Sequence, residues 1–194
     1  MRLYLLAAAL LFLNACNNST PEKKVMQNNA DTVVENPGFF PVTDYLKGQI
    51  YDIKQKGLTP IKYTTVNGHT DSVMLKFDQL NELLKAFLQP EIDSANLVPY
   101  FNETKFLDQS IDAFTFTYEA KSQLPDTLLL RHWDVYVEPE TGKVKRIYII
   151  KKEAANKTLQ LTWQSDKWCK TTTIINNPDG TAAIEKEEKI SWDY

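Results

Sequence analysis

From residue 41 onward the chain reads in two periods. Val42, Tyr45, Leu46, Ile50 and Ile53 recur at helical spacing, which predicts an amphipathic helix over residues 41–56. Pro41 suits its first turn and Gly57 its C-terminal stop, while Gly48 weakens its middle by about 1 kcal/mol relative to Ala. Segments 61–66 and 70–75 flank Asn67-Gly68, the strongest short-range hairpin signal. A second helix is predicted over 78–88, with Leu80, Leu83, Leu84, Phe87 and Leu88 as its apolar face, Asp78 as its cap and Pro90 as its stop. Residues 94–101 read as a short helical turn.

After Ile111 the period changes from 3.6 to 2. Phe114, Phe116 and Tyr118 alternate with Thr115 and Thr117, and Trp133, Val135 and Val137 alternate with polar neighbours in the next segment. Further strands are expected over 144–152, 159–163, 168–175 and 182–192, separated by turns such as Glu138-Pro139-Glu140-Thr141-Gly142 and Asn177-Pro178-Asp179-Gly180. Helices first and a meander afterwards predict an α+β fold. In it, N-terminal helices and a β-hairpin pack on a curved, largely antiparallel six-stranded meander. The layout is also compatible with a cone like the nuclear-transport-factor-2 superfold or with a two-hairpin α/β sandwich. That comparison is topological, and such superfolds host many functions.

Composition narrows the class more than the activity. The 22 Lys and Arg against 25 Asp and Glu give a net charge of −3, so the electrostatic footprint of a nucleic-acid binder is missing. Hydrophobic residues at 43% and charged residues at 24% exclude a disordered or collagen-like chain. Of the two cysteines, Cys16 lies near the N-terminus and Cys169 sits beside Trp168, where a packed core thiol is expected.

The first residues carry an address. Arg2 precedes an apolar run from Leu3 to Leu13, too short for the roughly 20 residues that span a bilayer but of the length found in secretory signals. The run ends in Leu13-Asn14-Ala15-Cys16, which resembles the lipobox of bacterial lipoproteins. The resemblance covers residues 1–16 and implies cleavage before Cys16, thioether attachment of diacylglycerol to its thiol, and N-acylation by a fatty acid such as palmitate. Each buried CH₂ of such an anchor contributes about 0.8 kcal/mol. Residues 1–15 are then a signal peptide, 16–38 the lipidated cysteine and a flexible tether, and 39–194 a single folded domain. Asn17 and Asn18 follow the cysteine where an Asp would favour the inner membrane, so the resemblance implies the outer membrane and a periplasmic orientation.

The domain also resembles the uncharacterised lipoprotein domains common in Gram-negative envelopes, a likeness that implies no activity. Asp31-Thr32-Val33, Asp71-Ser72-Val73, Asp93-Ser94-Ala95 and Asp126-Thr127-Leu128 resemble the acceptor triplets of a periplasmic O-glycosylation system. That makes Thr32, Ser72, Ser94 and Thr127 candidate acceptors, although Asp-Ser/Thr also favours turns.

Catalytic patterns are not found in the sequence. There is no Gly-x-Ser-x-Gly, no Ser-x-x-Lys, no His-Glu-x-x-His and no glycine-rich phosphate loop. Of the two histidines, His69 follows the Asn67-Gly68 turn and reads as a turn residue, whereas His132 and Asp134 fall on one face of a strand. Tyr136, Arg146 and Tyr148 belong to the same face, opposite the Trp133/Val135/Ile147/Ile149 stripe. These five residues are the candidate binding face, with a half-exposed sheet surface as the plainer alternative. No cofactor or metal is expected. The leading expectation is a non-catalytic lipoprotein module that binds a protein partner or envelope component. The second is a binder of a small or lipidic ligand between helices and sheet.

Overall fold

The computed structural model describes residues 38–192. Four helices and two strands come first: α1 (Val42–Gln55), β1 (Ile61–Val66), β2 (His69–Met74), α2 (Phe77–Leu83), α3 (Lys85–Leu88) and α4 (Ser94–Leu97). Seven strands follow: β3 (Phe101–Asp108), β4 (Ala113–Ala120), β5 (Leu130–Val137), β6 (Val144–Ala154), β7 (Lys157–Gln164), β8 (Trp168–Asn176) and β9 (Ala182–Ser191). All nine strands lie in one sheet of order β2-β1-β9-β8-β7-β6-β5-β4-β3, and every neighbouring pair is antiparallel.

This corrects the expected α+β arrangement. The protein is dominated by one large antiparallel sheet with few short helices, and neither a six-stranded meander nor a cone or sandwich describes it. The predicted meander strands correspond to β4–β9, but the sheet extends beyond them at both ends. The β1–β2 hairpin does not pack on the sheet. It joins it, because β1 pairs with β9 from Ile61↔Ser191 to Thr65↔Glu187. At the other end the expected turn forms as α4, and β3 follows it where no element was expected. Both of its faces are largely exposed, so no alternation of burial marks it as a strand. The predicted helix over 78–88 is two pieces, broken at Leu84 (φ −92°, ψ 1°).

Local chemistry sets the remaining elements. α1 buries Val42, Leu46, Ile50 and Ile53 along one stripe. It stops in a Schellman motif, with Gly57 at φ +63° donating to the Lys54 carbonyl and Leu58 donating to Ile53. Asn67 and Gly68 both have positive φ, the requirement of a two-residue type I′ hairpin turn. α1 is held over the sheet by polar clamps as well as packing. The Tyr45 hydroxyl meets Ser165 at 2.7 Å, the Asp166 amide donates to Gln49 at 2.9 Å, and the Ile92 amide donates to Thr43 at 2.8 Å.

Under α1 lies an aromatic core. Trp133 stacks on Tyr118 with ring centroids 4.5 Å apart and takes the edges of Phe101 and Phe39. Trp163 takes the edge of Phe87 and meets Trp192 at a tilt of 46°. The Tyr118 hydroxyl accepts from the Phe40 amide at 3.0 Å and donates to Glu103 at 2.8 Å, tying the segment before α1 to β3 and β4. Tyr118→Phe keeps the ring and removes both bonds, leaving the Phe40 donor without its acceptor. Denaturant unfolding of that variant is expected to show a loss of about 1–3 kcal/mol. A loss below about 0.5 kcal/mol would mean that water replaces the hydroxyl.

Candidate functional site

One face of the sheet receives the helices; the other receives no element among the described residues. On that open face β5 presents His132, Asp134 and Tyr136 at alternating positions. Strand register then sets their neighbours: Thr117 of β4 and Tyr148 of β6 flank Asp134, and Arg146 of β6 lies opposite Tyr136. All five residues of the expected binding face therefore occupy one patch.

The patch is organised around a buried carboxylate. Asp134 is 7% exposed and accepts from Thr117 Oγ1 at 2.6 Å, His132 Nε2 at 2.9 Å and the Tyr136 hydroxyl at 3.2 Å. Burial alone would push its carboxyl up, but the hydrogen bonds from His132 and Thr117 outweigh burial and hold it below the ordinary value. The bond to Asp134 raises His132 in turn, against burial, and Glu119 adds to this at 3.9 Å from Nδ1. Burial raises Tyr136 and Tyr148, with the Asp134 charge adding to it. The Arg146 guanidinium sits 4.1 Å from the centre of the Tyr136 ring, a cation–π contact.

Asp134 accepts from three donors, and both ring nitrogens of His132 face carboxylates. No hydroxyl or thiol nucleophile is bonded to the imidazole in the described residues. Cys169 lies in the core on the opposite face, 1% exposed, its thiol pushed up by burial. Among the described residues no group of three His, Cys, Asp or Glu side chains could hold a metal ion, and no helix is long and apolar enough to cross a membrane.

A second feature had no place in the sequence reading. A cleft of about 430 Å³ opens between α3 and the ends of β6 and β7, closed on its third side by the loop over 127–129. Lys151 lines it, 5% exposed. Its ammonium donates to the carbonyls of Ala86 and Gln89. A signal for it exists in the sequence: Lys151 continues the core-facing phase of Ile147 and Ile149, where a charge is out of place.

The other sequence candidates are dispersed. Cys16 and Thr32, with the signal peptide and most of the tether, lie outside the described residues. Ser72 is exposed in β2, Thr127 is exposed at the cleft, and Ser94 opens α4. The Asp93 carboxylate caps α4 by accepting from the Ala95 and Asn96 amides, which gives that triplet a structural role. His69 is exposed at the start of β2. Comparison with protein families, with characterised proteins and with solved structures finds no match to this chain.

The coupling of His132 and Asp134 has a definite sign. His132 is raised, so its contribution to stability is complete below its ordinary value of 6.5 and is lost as pH rises through the raised value. Asp134 is lowered, so its contribution is present above 3.8 and is lost as pH falls through the lowered value. The pair therefore stabilises the fold between those limits. An NMR titration is expected to place the His132 midpoint above 6.5 in the native protein and to move it down in Asp134→Asn. An unchanged midpoint in that variant would dissolve the assigned coupling.

Proposed function

We propose that the protein is an envelope lipoprotein, held on the outer membrane through lipidated Cys16 and facing the periplasm, whose folded part is a non-catalytic binding module. The open sheet face is the surface it offers to a protein partner. The observation that carries this reading is the state of Arg146 and Tyr148. The Asp134 network fixes the face they belong to. Yet Arg146 has no carboxylate partner and the Tyr148 hydroxyl no hydrogen bond among the described residues. A guanidinium stacked on a tyrosine, beside an unused phenol, suits a carboxylate on the partner.

A second reading is a lipidic ligand between helices and sheet, and the cleft beside Lys151 favours it.

Anchoring and recognition are tested separately. Cys16→Ser is expected to abolish incorporation of radiolabelled palmitate and to free the chain from the membrane fraction. Retention of the label would overturn the anchor. For the open face, a photocrosslinking amino acid at position 148 of the full chain, in living cells, is expected to give one discrete adduct. Arg146→Ala should reduce that adduct at least about tenfold, the equivalent of 1.4 kcal/mol. An adduct indifferent to Arg146, or no adduct at all, would count against the open face as the docking surface.

A further inference from the structure

Lys151 is a buried cation whose charge nothing in the described protein neutralises. It is 5% exposed, its bonds run to the neutral carbonyls of Ala86 and Gln89, and no carboxylate pairs with it among the described residues. Two carbonyls occupy two of the three ammonium protons. Burial draws its pKa down to about 8, the direction expected of a desolvated ammonium without a counter-ion.

The space beside it is apolar. Ala86, Pro90, Leu128, Leu129 and Leu159 line the cleft together with Lys151. Leu129 is 44% exposed, a large apolar side chain that an occupant would cover. At the rim Lys85 and Lys152 outnumber Glu153, so the local balance is positive.

We propose that this cleft binds a single-chain amphiphile with a carboxylate head, its acyl chain against the leucines and its carboxylate on the Lys151 ammonium. The inference rests on the second reading given above and names the ligand class and the residue that would select it. The volume, about 430 Å³, lies near the lower end of ligand pockets and suits one chain rather than two. A terminal carboxylate is small enough to reach an ammonium that is almost wholly buried. A phospholipid head would have to bring its further substituent with it. A neutral head would leave the charge of Lys151 uncompensated.

The test uses the full chain in bacterial envelope membranes, photolabelled with a palmitate analogue bearing a diazirine on its chain. The label is expected on peptides containing Pro90 or Leu128 and Leu129, and free palmitate is expected to compete at least about tenfold better than hexadecanol or lysophosphatidate. Lys151→Met should reduce labelling by a similar factor. Because that substitution also strips a donor from two buried carbonyls, Leu129→Glu provides the second variant. It places a negative charge in the cleft at a position exposed enough to leave folding intact, and it should abolish the label. His69→Ala, in the exposed β2 strand, should leave labelling unchanged. If hexadecanol or lysophosphatidate competes as well as palmitate, the lipidic reading stands and the carboxylate assignment falls. If the label maps away from the cleft or ignores Leu129→Glu, both fall.

Discussion

A sheet of nine strands has more face than this chain has helix to cover it. Strands spaced at about 4.8 Å make a sheet roughly 40 Å across, and the longest helix, α1 with 14 residues, extends about 21 Å. The helical layer therefore shields the centre, where the core sides of β5–β8 carry Trp133, Val135, Ile147, Ile149, Leu161, Trp163 and Cys169. Away from that centre the same face carries charge. Lys62 pairs with Glu188 at 2.7 Å beside Ile190, and Lys105 pairs with Glu103 at 3.0 Å and lies over Phe116. Long aliphatic stems cover apolar surface there while their ends stay wet. The cleft beside Lys151 belongs to the same pattern, since it opens where α3 ends and the sheet continues.

The other face meets the opposite constraint. With no layer over it, it keeps its order through contacts within the sheet. Rows of threonine, glutamine, tyrosine and paired charges run across it, and the Asp134 carboxylate is buried among them together with Thr115 and Thr172. A carboxylate at 7% exposure on an uncovered face is tolerated because three donors from two strands converge on it. Lys170, Glu187 and Thr172 form a looser version between β8 and β9, with the two charged side chains at greater exposure. Such pairs contribute little to stability in water, but they fix which groups point outward and which are already engaged.

What could be read from the sequence followed from local periodicity. The helical stripe of α1, the Asn67-Gly68 turn and the division of β5 and β6 into a tryptophan side and a histidine–tyrosine side are all written within a few residues of one another. The edges were not legible for a physical reason. β3 is a border strand largely exposed on both faces after Phe101, so its residues carry no alternation, and nothing local distinguishes Asn102-Glu103-Thr104-Lys105 from a loop. The pairing of β1 with β9 joins segments more than a hundred residues apart, and both are mixed polar sequences that would suit any neighbour. The open-face patch was legible because two adjacent strands of a hairpin supply it. The cleft needed α3, the 127–129 loop, Lys151 and Leu159 to converge, which only the completed sheet brings about.

Three buried polar groups separate what holds this fold from what the fold can hold. The Tyr118 hydroxyl has a donor and an acceptor, and it joins the chain before α1 to β3 and β4. Asp134 has three donors, so its hydrogen-bonding needs are met within the open face. Both are internally complete, and a ligand would gain little from either one directly. Lys151 has hydrogen-bond acceptors but no opposite charge, and hydrogen bonds to neutral carbonyls offset only part of what an ammonium loses when it leaves water. A cation in that condition binds an anion more strongly than an exposed lysine does, because its desolvation has already been met by folding. The apolar cleft beside it restricts which anions can arrive. Of the three groups, Lys151 alone leaves its charge for something outside it to match.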